Sequence, residues 1–133
     1  MSTSNVPADL RYTKDHEWAR KESDGTIRVG ITAFAVDQLG DITLVELPKV
    51  GTVLETGKAF GTVESVKTLS DLFAPIAGTV VAINEALASQ PELVNAGAYD
   101  KGWMVVLKPA SAAELDALLD AGAYKTHLDG LDH

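Results

Sequence analysis

The sequence predicts an all-β fold with a minor helical part: a flattened barrel or sandwich, a short internal helix and a C-terminal helix. Three observations carry this reading. Apolar residues recur mostly with period two, in short runs broken by glycine, proline and polar pairs, which is the pattern of strands joined by tight turns. The middle of the chain echoes itself: Thr52-Val53-Leu54-Glu55-Thr56-Gly57 resembles Glu92-Leu93-Val94-Asn95-Ala96-Gly97. Each copy precedes a strand-like run, Phe60 to Val66 and Trp103 to Leu107, so two strand-turn-strand units with approximate symmetry are expected. Near the C terminus the spacing becomes helical.

The elements follow in order. Ile27, Val29 and Ile31 share one face of an early strand. Thr32 stands where a hydroxyl can cap a short helix from Ala33 to Leu39, and Gly40 where a helix stop in the left-handed region is cheap. Asp41 begins the return strand, Ile42 to Leu47, which is apolar on both faces and ends at Pro48, a residue with no N–H for the ladder. Ser111-Ala112-Ala113-Glu114 has the form of a capping box, with Leu115, Leu118 and Leu119 behind it. A helix from Ala112 to about Asp120, laying a leucine stripe on the barrel and stopping at Gly122, is expected. Lys125 to His133 is polar and lacks periodicity, so an irregular tail is expected beyond Tyr124, with residues 1–9 and 126–133 as flexible ends.

Composition narrows the function. A chain of 133 residues with 46% apolar content suffices for one domain spanning 1–133. Nineteen acidic against eleven basic residues give a formal charge of -8, which repels phosphate backbones and anionic headgroups. Nucleic acid and membrane are therefore not expected as partners, whereas matching to basic protein surfaces is compatible with this charge. The absence of cysteine removes disulfides and thiolate chemistry together. Met1 to Asp9 shows neither a secretory n- and h-region nor an arginine-rich transit pattern, and no apolar run is long enough for a span, so a soluble, cytoplasmic protein is expected.

Candidate chemistry is sparse. His16, His127 and His133 do not stand at metal-ligand spacing. Gly57 and Gly61 form no phosphate-cradling pattern, and no nucleophile elbow surrounds a serine. Trp18 and Trp103 read as core anchors, and Gly30, Gly40 and Gly78 as backbone geometry. The informative stretch is Gly61 to Gly78, where two strand-like runs flank Val66 to Ser70 and place Lys67 at a hairpin tip. Taken alone, a tip lysine is a solvated charge. Glu64 and Asp71 bracket it and serve either to solvate the hairpin or to recognise what is attached there.

Glu64-Ser65-Val66-Lys67, followed by Ser70-Asp71 and Ala74-Pro75-Ile76-Ala77-Gly78, resembles the modification hairpin of lipoyl carriers in the form found in glycine cleavage H proteins. The resemblance continues through Tyr12-Thr13, His16-Glu17-Trp18, Val29-Gly30-Ile31-Thr32, Leu39-Gly40-Asp41-Ile42, Val45-Glu46-Leu47-Pro48, Pro91-Glu92-Leu93-Val94-Asn95 and Gly102-Trp103, covering Leu10 to Tyr124 in the family's order. Biotin carriers show Met-Lys-Met where this chain has Val66-Lys67-Thr68, and lipoyl domains of 2-oxoacid dehydrogenases show Asp-Lys-Ala. Thr68 and Leu69 depart from the small residues often found beside the family's lysine, which bears on recognition by a modifying enzyme.

The resemblance implies a barrel-sandwich hybrid of the lipoyl and biotinyl carrier type, with lipoate joined covalently to Lys67 as an amide. Such an arm reaches about 14 Å from the backbone. It implies a non-catalytic carrier in glycine catabolism and one-carbon metabolism, expected to be a monomer. Its partners would be a pyridoxal-phosphate glycine decarboxylase, a tetrahydrofolate-dependent aminomethyltransferase, a dihydrolipoyl dehydrogenase containing FAD, and a lipoyl- or octanoyl-attaching enzyme. Relatives also suggest a shallow cleft between the His16-Glu17-Trp18 strand and the hairpin, where Glu17 and Asp71 would hold a cationic amine; Asp15 stands where some relatives have serine. The rival readings are a lipoyl domain serving a 2-oxoacid dehydrogenase and an unmodified structural or interaction protein.

Overall fold

The computed structural model describes residues 6–111 and 113–131. In chain order the elements are β1 (Arg11–Tyr12), β2 (Glu17–Lys21), β3 (Ile27–Ile31), α1 (Ala33–Leu39), β4 (Ile42–Glu46), β5 (Val53–Leu54), β6 (Ala59–Ser65), β7 (Leu69–Phe73), β8 (Gly78–Ile83), α2 (Ala86–Ser89), α3 (Leu93–Ala96), β9 (Val105–Pro109), α4 (Ala113–Asp116) and α5 (Ala121–Leu131). The strands form a six-stranded sheet, β1-β2-β3-β9-β8-β5, and a three-stranded sheet, β4-β6-β7. Every pairing is antiparallel. The inward residues of both sheets, among them Val29, Val80 and Leu107 from one and Val45, Val63 and Leu72 from the other, meet in one buried cluster. This is the mostly-β sandwich with minor helix that the alternation predicts.

Helix α1 forms where expected and for the expected reasons. Thr32 Oγ1 accepts from the Ala35 amide at 3.3 Å, and the Gly40 amide closes on the Val36 carbonyl at 2.9 Å. Gly40 has φ +81°, which a side chain would resist. Strand β4 departs from two-sided burial: an irregularity between Ile42 and Leu44 leaves Leu44 41% exposed. The internal echo is not structural, since Val53–Leu54 is strand and Leu93–Ala96 is helix. Pro91 precedes the second copy and suits a helix's first turn, whereas the first is bracketed by Gly51 and Gly57 at φ +97° and +79°, which turn the chain back onto β8.

The C-terminal region corrects a second expectation. Helix α4 ends at Asp116, and the chain then runs alongside β1, with Tyr12 and Leu119 exchanging backbone bonds of 2.7 and 2.9 Å. Glu114 reaches across the fold: its carboxylate accepts from Thr56 Oγ1 at 2.6 Å and the Ala77 amide at 3.4 Å. The predicted helix start at Ala112 lies outside the described residues. Asp120 caps a new helix by accepting from the Ala123 amide at 2.8 Å, so α5 runs through the stretch expected to be irregular, with Gly122 in its first turn rather than at a stop. Tyr124 and Leu128, one turn apart, are fully buried against Tyr12, Trp18, Leu10 and Val6 in a second apolar cluster. Val6 and Leu128 thus tie down parts of both segments expected to be flexible ends.

Candidate functional site

Strands β6 and β7 meet in the turn Val66-Lys67-Thr68, closed by the Ser65 amide donating to the Thr68 carbonyl at 2.8 Å. Ser65 is buried, and its hydroxyl oxygen accepts from the amides of Lys67 and Thr68, each at 3.2 Å. The Val66 amide donates to the Asp41 carbonyl at 3.0 Å, fixing the tip to the α1–β4 turn. Asn95 holds that turn from α3: its side-chain carbonyl accepts from Ile42 N at 2.9 Å, and its amide donates to Gly40 O at 3.0 Å. The side chains of Val66, Lys67, Thr68 and Leu69 remain exposed. The Lys67 stem passes over Gly40, so a methyl group there would lie 3.4 Å from its Cε.

A cleft of about 410 Å³ opens beside this hairpin. Asp15 and His16 from the β1–β2 turn, Phe34, Ala35, Gln38 and Leu39 from α1, and Ser70 from β7 line it. His16 has φ +70°, a region that side-chain-bearing residues enter at a cost of about 1 kcal/mol or more. Its conformation is held by the His16 amide donating to Thr13 O at 3.1 Å and the Thr32 amide donating to His16 O at 2.9 Å. The ring packs on Phe34 with centroids 4.7 Å apart. Burial, followed by the nearby His127, lowers its pKa below the ordinary histidine value, and Asp15 opposes this more weakly.

The predicted site residues separate. Lys67 stands at the exposed tip. Glu64 and Asp71 lie exposed on the small sheet, Glu64 between Leu44 and Leu69 and Asp71 opposite Thr62. Glu17 is only 2% exposed and is not among the cleft-lining residues. Thr13 Oγ1 donates to its Oε1 at 2.6 Å and the Phe73 amide to its Oε2 at 3.4 Å. Burial pushes its pKa up to about 8, the two hydrogen bonds opposing and Asp15 adding to the rise. The carboxylate at the cleft is Asp15.

Sequence reasoning missed three supports: Ser65 beneath the tip, Asn95 beneath the neighbouring turn, and Tyr124 behind His16. Ser65 and Asn95 stood inside quoted motifs, and a polar residue kept within an apolar context was their signal. Among the described residues no group of three His, Asp or Glu could hold a metal, and no helix is long and apolar enough to cross a membrane.

Known proteins are similar to this chain in sequence and in fold. The family model for the glycine cleavage H-protein matches residues 10–130. The glycine cleavage system H protein of Opitutus terrae is 58% identical over 121 residues, covering 91% of this chain and 95% of that protein. That of Geobacillus kaustophilus is 53% identical over 125 residues, covering 94% and 98%. A crystal structure of the H protein from Mycobacterium marinum superposes with a TM-score of 0.83 at 38% identity, covering 94% of this chain and 99% of that one. With the match running from β1 into α5 and the lysine hairpin in place, this chain belongs to the glycine cleavage H-protein family.

Proposed function

We propose that this chain is a single lipoyl-carrier domain of the glycine cleavage system, bearing lipoate in amide linkage on Lys67. The observation that carries the reading is Lys67 itself, exposed at the tip of a turn whose backbone is anchored at Ser65 and Asp41. A modifying enzyme must enclose the amine and its neighbours, so protrusion on a defined turn is what acceptance requires. When bound, the group supplies a reversible disulfide and a thiol on which a one-carbon amine unit can travel. The carrier would serve glycine decarboxylase, aminomethyltransferase and dihydrolipoyl dehydrogenase in turn, each partner supplying the catalytic groups and its own cofactor.

The cleft fits such an arm. Ser70 lies three residues beyond Lys67, at most about 10 Å along an extended strand, inside the roughly 14 Å reach of a lipoyl-lysine. Phe34, Ala35 and Leu39 offer apolar surface for the alkyl part, while Asp15 offers a carboxylate to a cationic amine. Glu17, protonated over much of the neutral range and buried, is poorly suited to that role. Shielding the cargo from water would suppress its premature release.

Intact mass of the chain isolated from its own cell tests the assignment. A lipoyl-sized increment is expected in the wild type and none in Lys67→Arg, which keeps the cation but lacks an acylatable primary amine. As sole carrier in a reconstituted glycine cleavage reaction, Lys67→Arg should fold and support no turnover. An unmodified wild-type chain, or turnover sustained by the variant, would overturn the reading.

A further inference from the structure

Behind the cleft wall three side chains form a hydrogen-bond chain with no part in the function proposed above. Thr32 Oγ1, which accepts from the Ala35 amide, lies 2.7 Å from Tyr124 Oη, and that phenol lies 2.9 Å from His16 Nδ1. Thr32 and Tyr124 are fully buried. Satisfaction of these groups sets the direction of the protons. The Thr32 hydroxyl proton has no access to water, and Tyr124 Oη is its acceptor among the described residues. Thr32 therefore donates to Tyr124, the phenol donates onward, and His16 Nδ1 accepts. A neutral imidazole accepting at Nδ1 carries its proton on Nε2. Protonating Nδ1 as well would set two donors face to face, unless the phenol turned back and left Thr32 with no acceptor.

We propose that Tyr124 is a positioning residue: through its hydroxyl it holds the His16 imidazole uncharged, with the ring proton on Nε2, in the wall of the arm cleft. On balance the surroundings of the ring favour the uncharged form, burial and His127 outweighing Asp15. Its own turn and strand supply Asp15 and Glu17; α5 supplies Tyr124 and, at 5.9 Å between ring centroids, His127; α1 supplies Phe34, with Asp37 exposed and outside the cleft lining. Strand β7 supplies Ser70, and its Asp71 falls on the other face by alternation. An uncharged His16 leaves the cleft free of a cation that would repel a cationic amine beside Asp15 and compete with it for that carboxylate. This consequence for the arm rests on the function proposed above; the proton assignment does not.

The decisive measurement is long-range proton–nitrogen NMR of the His16 ring in the unmodified, ¹⁵N-labelled chain over a pH series. The wild type should show a bare Nδ1 and a protonated Nε2. Tyr124→Phe removes the donor, so the ring should populate both tautomers and its pKa should rise, with the amide spectrum otherwise native. Thr32→Val leaves the buried phenol proton with His16 Nδ1 as its remaining acceptor among the described residues, so the Nε2–H form should persist there. If Tyr124→Phe fails to fold, the wild-type and Thr32→Val spectra decide. A wild-type ring protonated on Nδ1, an Nδ1–H form appearing in Thr32→Val, or a tautomer and pKa unchanged by Tyr124→Phe would overturn the proposal while leaving the carrier assignment intact. In a loaded carrier, Tyr124→Phe should speed amine release as pH falls, relative to wild type. Equal release rates would refute the role in the arm cleft, while a chain that never carries lipoate by intact mass would identify the failure as that of the carrier reading.

Discussion

Glu17 offers a quantitative test of how β2 is packed. It pairs with Ile31 across the sheet, is 2% exposed, and has a pKa raised from 4.5 to about 8, chiefly by burial. Because the folded chain holds this proton more tightly than the unfolded one, the protonated carboxyl contributes fully below about 4.5, and that contribution is lost as pH rises toward about 8. At about 1.4 kcal/mol per pH unit, the window corresponds to on the order of 5 kcal/mol. Glu17→Gln keeps the shape and cannot titrate. Whatever the amide costs against the Thr13 hydroxyl and Phe73 amide is nearly independent of pH, so the readout is the difference between two stability curves. Urea unfolding of both proteins from about pH 5 to 9 should show the wild type losing roughly 3–5 kcal/mol relative to the variant. Curves parallel to within about 0.5 kcal/mol would refute the claim that Glu17 is buried as a neutral acid.

Asn95→Ala should cost about 1–2 kcal/mol in denaturant unfolding, because it removes two bonds to the Gly40–Ile42 turn, and it should slow modification of Lys67 in a ligase assay more than Gln90→Ala does. Gly30→Ala should destabilise by about 1–3 kcal/mol on thermal melting, since a methyl there would stand 2.7 Å from the fully buried Trp18 ring. On the carrier reading, the net charge of -8 predicts that affinity for glycine decarboxylase weakens as salt rises; titration calorimetry across ionic strength showing a constant affinity would assign the charge to solubility alone.

What the sequence reveals of this fold divides by the range of the interactions. Helix α1 was legible because its start and stop are local: a hydroxyl three residues before an amide, and a glycine where φ turns positive. The lysine tip was legible because two alternating runs bracket it. Helix α5 was not, because only Tyr124 and Leu128 mark its buried stripe in an otherwise polar segment, and Asp120 reads as part of the preceding helix until Leu119 is seen to pair with Tyr12. Glu17 reads from the sequence as a carboxylate facing the cleft, since nothing in His-Glu-Trp announces that the Thr13 hydroxyl and a distant β7 amide enclose it. The Thr32–Tyr124 bond joins residues 92 apart, and its meaning for His16 exists only in three dimensions.

In the proposed carrier role the hairpin would have to satisfy two demands that pull apart: the lysine has to be reachable from every side, yet its approach to an enzyme must be reproducible. Burying the side chain would meet the second demand and defeat the first. Here the anchors are placed on the backbone instead. Ser65 Oγ gathers the amides of Lys67 and Thr68, Asp41 O takes that of Val66, and Asn95 holds the turn carrying Asp41. Ordering a backbone residue costs about 1–2 kcal/mol, so a turn fixed in the free carrier would spare each successive partner of the proposed cycle that cost at several positions. The exposed side chains keep the rotamer freedom that lets one tip be enclosed by differently shaped active sites. For a carrier that would engage several enzymes in turn, as proposed above, anchoring the main chain while leaving the side chains free is the arrangement that would serve all of them.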